Sequence, residues 1–375
     1  MDVRPLSRKI GAVITGMSWS RSLVVAVLVG AVMVVAGGCS GHASESTSTP
    51  SVATTASTSK AAEPSRGCVT GQGGPVLERI DVTVDGRPRT ALVHVPTSLR
   101  PGHPAPVVLS FHGVNGNAAV QQSTDGLLAK SDEEGFVVVH PEGLMVGLND
   151  QVTGISGWDA DGSEVDEPAF VAAVLDELEA KVCVDTARVY ATGFSAGGNI
   201  ALVVACALPD RIAAVAPVSA AYQPGECTSA PPVPVLAFHG LDDIVVPFGG
   251  RDSARAGTLL PVRAALGAQA KRNGCTGKPK ATDLSPRVHR LTWPGCKAAT
   301  ALVELDHNGH AWPGHPMPFA KDLLVGLFAG SDTQPPNPLM VAIGSTPDAM
   351  ADNVLLTNSD IDATDLIWKF FSQSS

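Results

Sequence analysis

The sequence predicts an α/β fold: one domain built on a mostly parallel sheet with helices on both faces. Three observations carry this. Short apolar runs alternate with helical patterns along the chain, which is the order of a sheet covered by crossover helices. Runs such as Phe136-Val-Val-Val139 are apolar throughout, as suits parallel strands buried on both faces. At 375 residues and 44% hydrophobic, the chain has enough apolar material for one large core.

Residues 1–39 are expected to be an export signal. Arg4, Arg8, Lys9 and Arg21 form a basic region, Leu23–Ala36 is an uncharged apolar run shorter than a typical spanning helix, and Gly37-Gly38-Cys39 follows. Small residues before a cysteine predict a lipoprotein signal with Cys39 as the acylated N-terminus, and diacylation anchors a protein stably to a membrane. Residues 40–66 are Ser, Thr and Ala with scattered Pro and Gly. Such a segment buries too little surface to offset its ordering entropy and is expected to be a tether, with a reach of about 30 Å. The folded α/β domain is expected over residues 67–375.

Net charge is −10; the four basic residues and Asp2 of the signal contribute +3, so the remainder carries −13. A chain this acidic, without a basic stripe, argues against nucleic acid and against docking on anionic lipid. With Cys39 assigned to lipid, six cysteines remain, an even number that suits disulfides in an exported protein. Cys275–Cys296 and Cys206–Cys227 would close short loops, which leaves Cys68–Cys183 to fasten the start of the domain to its sheet.

Strands are expected at Ile80–Val84, Ala91–Val95, Val107–Phe111, Phe136–Val139, Val189–Thr192, Ala213–Val218, Val233–Phe238 and Ala301–Leu305, the first two as an antiparallel edge. Helices are expected at Pro168–Val182, Asn199–Leu208, Ala254–Lys271 and Asp362–Phe371, the last capped by Asp360 or Asp362. Residues 317–358, rich in Pro, Asp, Ser and Met, read as an insertion, either a lid or a piece packed elsewhere.

Gly193-Phe-Ser195-Ala-Gly197-Gly198 is the central motif. Alone it is a weak signal. Here Arg188–Thr192 reads as a strand before it and Asn199–Val204 as a helix after it, and a strand-to-helix turn exposes a strained serine hydroxyl. Serine needs a base within hydrogen-bonding reach, and the base needs an orienting carboxylate. In strand-end segments later in the chain stand Asp242 and Asp243, then His307 and His310, in the order serine, acid, histidine that this fold uses. No third ligand at suitable spacing joins the two histidines, so neither a metal nor a cofactor is expected. The oxyanion donors are expected from the Ala196 amide, at a helix start, and the Val114 amide, in the loop His112-Gly-Val-Asn-Gly-Asn117. His112 and His140 read as structural imidazoles bonded to nearby backbone. Trp312 and Trp158 are candidates to line a substrate pocket.

Together these segments resemble the poly(3-hydroxybutyrate) depolymerase-like and feruloyl-esterase-like hydrolases of carbohydrate esterase family 1, including lipid-anchored members of the mycobacterial type. The matching pieces are Asp85–Thr90, Leu109–Gly113, Phe136–Gly143, Arg188–Gly198, His239–Pro247, Gly309–Gly314 and Asp362–Phe371. The resemblance implies an α/β-hydrolase fold and carboxylic ester hydrolysis. It places the acid four residues after the histidine of the His-Gly turn, at Asp243, and the base in Gly-His-x-Trp-Pro-Gly, at His310. Val114 stands where many relatives have a small polar residue or cysteine. The implied substrate is a small or polymeric ester met outside the cytoplasm, with the membrane as partner through the lipid anchor. Acyl transfer to a cell-wall acceptor and a non-catalytic binding lipoprotein are the alternatives.

Overall fold

A computed structural model describes residues 62–69, 78–100, 102–146, 155–160, 162, 164–222, 227, 230–252, 258–330 and 337–374. The expected signal, Cys39 and the tether up to residue 61 lie outside the described residues. Residues 62–68 belong to the folded unit, although the sequence puts the tether's end at residue 66. The Ser65 amide donates to the Val184 carbonyl (2.9 Å), and the Glu63 amide donates to Asp185 (2.9 Å).

The strands are β1 (Arg79–Val84), β2 (Arg87–His94), β3 (Ala105–Phe111), β4 (Val137–Pro141), β5 (Leu144–Val146), β6 (Ile155–Gly157), β7 (Val184–Phe194), β8 (Ala214–Val218), β9 (Val235–Gly240), β10 (Lys280–Ser285), β11 (Val288–Trp293) and β12 (Thr300–Leu305). The helices are α1 (Ala118–Thr124), α2 (Leu127–Glu134), α3 (Glu167–Lys181), α4 (Ala196–Ala207), α5 (Val262–Arg272), α6 (Lys321–Ala329), α7 (Pro338–Ile343), α8 (Pro347–Leu355) and α9 (Ala363–Ser372). All eight expected strands form. The helix expected over Ala254–Lys271 begins at Val262, and residues 253–257 lie outside the described set.

Among the described residues ten strands make one sheet in the order β1-β2-β4-β3-β7-β8-β9-β12-β11-β10; β5 and β6 pair separately. From β4 to β12 the neighbours are parallel. The edges are antiparallel: β1, β2 and β4 on one side, and β12, β11 and β10 on the other. Every residue of β3, β4, β8, β9 and β12 is buried, which is why these runs lack alternation. The exposed β10 and the half-buried β11 carry the mixed polar sequences Lys-Ala-Thr-Asp and Val-His-Arg-Leu, and so show no apolar run.

One face of the sheet packs α3, α4 and α5 through Phe170, Val174, Leu178, Ile200, Val204 and Leu266. The other packs Leu127 of α2 and the α9 residues Ile367, Phe370 and Phe371, with Phe371 stacked on Tyr190 of β7 (4.7 Å). Asp362 caps α9 by accepting from the amides of Thr364 and Asp365. Disulfides join Cys206–Cys227 and Cys275–Cys296, the two short-loop pairs, and Cys68–Cys183, the pair that remains. In the segment expected to be an insertion, α6, α7 and α8 share a small core of Leu324, Met340, Met350, Ala351 and Val354. That core closes on Val245, two residues beyond Asp243.

Candidate active site

β7 ends at Phe194 and α4 begins at Ala196, so Ser195 alone makes the turn. It does so at φ 56°, ψ −120°, a left-handed conformation that costs a non-glycine residue roughly 1–3 kcal/mol. The surrounding backbone holds it there: the Ser195 amide donates to the Val218 carbonyl of β8 (2.8 Å). The motif's glycines are steric necessities. A Cβ on Gly197 would lie 2.0 Å from the Phe111 carbonyl oxygen, and one on Gly193 would lie 2.4 Å from the Gly197 oxygen.

Asp243 and His310 stand on turns that leave adjacent parallel strands. β9 and β12 pair in register through Gly240 and Leu305, and the turns leaving them run side by side. In the first turn the Asp243 carboxylate is buried. Its Oδ1 accepts from the amides of Val245 and Val246 (both 2.8 Å), and its Oδ2 accepts from His310 Nδ1 (2.8 Å). With Nδ1 committed, the lone pair of neutral His310 is left on Nε2. The His310 ring packs at 4.7 Å from the ring of Phe194, the residue before the serine. No hydrogen bond joins the Ser195 hydroxyl to His310 among the described residues, and such bonds are often loose until substrate binds. The competing pair faces water: the side chains of His307 and Asp242 are 70% and 53% exposed, and Asp242 accepts the His307 amide (3.0 Å). Geometry therefore separates Asp243 and His310 from Asp242 and His307.

A second histidine, which the sequence marks only as part of a His-Gly turn, touches the Asp243 carboxylate. His239 of β9 is fully buried and donates from Nε2 to the Val246 carbonyl (2.8 Å); the same nitrogen is 3.5 Å from Asp243 Oδ2. Its Nδ1 lies 3.0 Å from the hydroxyl of Tyr222, which also reaches the Phe238 carbonyl (2.6 Å). Burial pushes the His239 pKa down and the Tyr222 pKa well up, so both stay neutral beside the carboxylate.

The loop after β3 approaches the serine closely. A Cβ on Gly113 would sit 3.3 Å from Ser195 Cβ, which brings the Val114 amide to the same end of the sheet as the Ala196 amide at the start of α4. His112 braces this loop. It donates from Nδ1 to the Gly113 carbonyl (2.8 Å) and accepts the Gly143 amide at Nε2 (2.9 Å), and burial lowers its pKa, which keeps it neutral. His140 differs from the backbone-bonded reading: its Nε2 bonds the buried carboxylate of Asp125 (2.9 Å).

Both tryptophans depart from expectation. Trp158 is 6% exposed, packs edge-on against Phe111 and donates its indole N–H to the His112 carbonyl (2.7 Å), so it supports the loop from behind. Trp312 is 4% exposed, sits in the core beneath α9 and donates to Thr364 Oγ1 (3.0 Å). Neither face is offered to a ligand. The sequence gives their position next to loop residues but not the direction in which they turn.

Strand order, a serine at a strained strand-to-helix turn and a buried Asp–His pair on later strand ends define the α/β-hydrolase fold. Residues 90–258 match the model of the dienelactone hydrolase family. The chain is 29% identical over 236 residues to feruloyl esterase B of Piromyces equi, covering 60% of this chain and 42% of that protein. It is 29% identical over 228 residues to the bifunctional acetylxylan esterase/xylanase of Neocallimastix patriciarum, covering 60% and 31%. A putative esterase of Nocardia uniformis subsp. tsuyamanensis is 29% identical over 271 residues, 64% of this chain and 75% of that one. The chain thus spans less than half the length of the first two relatives.

Proposed function

We propose that the protein is an exported, lipid-anchored serine esterase that hydrolyses carboxylic esters through an acyl-serine intermediate. The observation that carries this reading is the buried bond from His310 Nδ1 to Asp243 Oδ2, beside a serine held at positive φ. The names of the relatives, feruloyl and acetylxylan esterases, support the ester as substrate class. The N-terminal sequence ending in Cys39 supports export and anchoring.

In the first step Ser195 Oγ attacks the ester carbonyl carbon while His310 Nε2 takes the hydroxyl proton. Asp243 holds the imidazole in the Nδ1–H tautomer and stabilises the imidazolium. The amides of Ala196 and Val114 receive the charge that develops on the carbonyl oxygen. The C–O bond then breaks, the proton passes from Nε2 to the departing alkoxide, and the acyl group remains on Ser195. Water, deprotonated by the same nitrogen, attacks the acyl carbon; the C–Oγ bond breaks, Oγ takes the proton back from Nε2, and the carboxylic acid leaves.

A panel of p-nitrophenyl esters of increasing acyl length, run on the wild type beside Ser195→Ala, tests this. Turnover by the wild type, abolished in the variant, and labelling of Ser195 by a fluorophosphonate are expected. Folded protein that takes no label and turns over no ester would end the proposal.

A further inference from the structure

The insertion is where the sequence offered a lid or an ornament, and its α8 does something else. Asn353, buried near the end of α8, has its carboxamide between the acid turn and the histidine turn. Its Oδ1 accepts the amide of His310 (3.0 Å) and the amide of Ile244 (3.2 Å), and its Nδ2 donates to the carbonyl of Asp242 (2.7 Å). One side chain thus binds the backbone of the histidine itself and of both residues flanking Asp243.

The fit is close. A Cβ on Gly309 would lie 2.1 Å from the Asn353 carbonyl oxygen, so only glycine lets the histidine turn approach α8. The chain beyond α8 continues the grip: the Leu356 carbonyl accepts the Gly309 amide (2.8 Å), and Thr357 Oγ1 donates to the Trp312 carbonyl (3.1 Å). Val245 and Val246, whose amides hold Asp243 Oδ1, pack on the insertion's small core. The two turns meet each other directly, through the Asp242 amide on the Asn308 carbonyl (3.2 Å) and the His307 amide on Asp242 (3.0 Å), and both are also bonded to a third element, α8.

We infer that Asn353 is a positioning residue, which fixes the distance and angle between Asp243 and His310 by cross-linking their turns. This rests on the reading of those two residues as acid and base. It acts through backbone alone and touches neither substrate nor reacting atoms. Misplacement of a catalytic group by about 1 Å can slow a reaction about 10²-fold.

The test compares Asn353→Leu, close in shape but without hydrogen bonds, with Asn353→Asp, which keeps the acceptor, and with Met350→Ala, which loosens the insertion's core and leaves the carboxamide in place. Activity is read as kcat and KM on a p-nitrophenyl ester. The His310 Nδ1–H proton is followed by NMR, which needs no turnover. Asn353→Leu is expected to lower kcat about 10- to 100-fold with KM within about twofold, and to broaden the Nδ1–H resonance. Asn353→Asp is expected to recover the resonance and part of kcat. Its negative charge favours imidazolium, so the acid limb of the pH–rate profile moves upward. The other titratable and charged groups at this pair are Asp243, His239, Tyr222 and Arg251, and all are unchanged in the variants. Met350→Ala is expected to lower Tm and, because Val245 and Val246 rest on the same core, to reduce kcat a little, well short of the loss in Asn353→Leu, with the resonance still sharp.

A sharp wild-type resonance that survives unchanged in Asn353→Leu would overturn the proposal, as would an equal loss of kcat in Met350→Ala. If the wild type hydrolyses no ester, the esterase reading fails on that result, and the resonance still decides the role of Asn353.

Discussion

Replacing Asp243 by Asn removes one charge and almost no volume, and the local geometry dictates what the amide must do. Oδ1 of Asp243 accepts two backbone N–H groups, from Val245 and Val246, at 2.8 Å each. An amide NH₂ pointed at two donors would leave both unsatisfied at roughly 1–3 kcal/mol apiece, so the Asn oxygen takes that position. The NH₂ then faces His310 Nδ1, where the carboxylate now accepts at 2.8 Å. A donor facing Nδ1 forces the imidazole to accept there and to carry its proton on Nε2. The nitrogen that should take the serine proton is then already protonated. Wrong-tautomer variants of this kind in serine hydrolases lose about 10⁴ in rate, equivalent to about 5.4 kcal/mol of barrier. Asp243→Asn is therefore expected to fold, with Tm within a few degrees of wild type, and to hydrolyse p-nitrophenyl butyrate about 10⁴-fold more slowly. Asp242→Asn, on the exposed neighbour, is expected to stay within about threefold of wild type, since surface changes away from such features have small effects. Asp243→Asn retaining a tenth of wild-type kcat/KM, or Asp242→Asn falling as far as Asp243→Asn, would refute the assignment.

Trp158→Phe keeps the ring against Phe111 but strips the donor from the His112 carbonyl; a stability loss of about 1–3 kcal/mol by urea titration is expected, with a several-fold fall in kcat as the loop carrying Val114 loosens. Stability should decline as pH falls below about 6.5. His112 and His239 have lowered pKa values in the fold, mainly from burial, so the unfolded chain binds more protons there, at up to about 1.4 kcal/mol per pH unit for each. His315 and His289, raised by their bonds to Asp362 and Asp283, work in the opposite sense, so urea midpoints at pH 7.5 and 5.5 are compared in a His289→Gln/His315→Gln background, where a flat profile would contradict the neutral assignments. Opening the Cys68–Cys183 bridge by a double Ser substitution frees a closure 115 residues apart in sequence, and a loss of about 2–5 kcal/mol with ester turnover retained at low temperature is expected from thermal melts and assay.

The parts legible in the sequence are those where one physical demand dominates. The central strands need apolar side chains on both faces, so Val107–Phe111 and Val137–Val139 announced themselves. Ser195 was marked by glycines whose absence of Cβ is forced by backbone contacts. Asp243 and Asp242 were alike by local pattern, and the resemblance to known hydrolases chose between them; the structure separates them by burial and by the bonds each accepts. What stayed illegible depends on where a side chain turns or what distant segment meets it. Trp158 and Trp312 are large aromatics near the serine and histidine loops, and only the fold shows them facing inward. Asn353 lies 43 residues from His310 in a segment without strong periodicity, and no local signal pairs the two. His239 was read only as the marker of a His-Gly turn, because its contact with Asp243 depends on a turn that doubles back.

The seam at Cys68 has a mechanical side. Ser65 pairs with Val184 at the start of β7, and Cys68 is bonded to Cys183 beside it. β7 lies between β3 and β8, in the interior of the sheet. Tension applied along the chain from its N-terminal side therefore reaches the domain at an interior strand through a covalent link, rather than peeling an edge such as β1. β7 is bonded on both flanks, to β3 and to β8, so a load that arrives there is shared between two neighbours. Ser195 sits at the far end of that same strand, so the element that bears the pull is also the one that presents the serine.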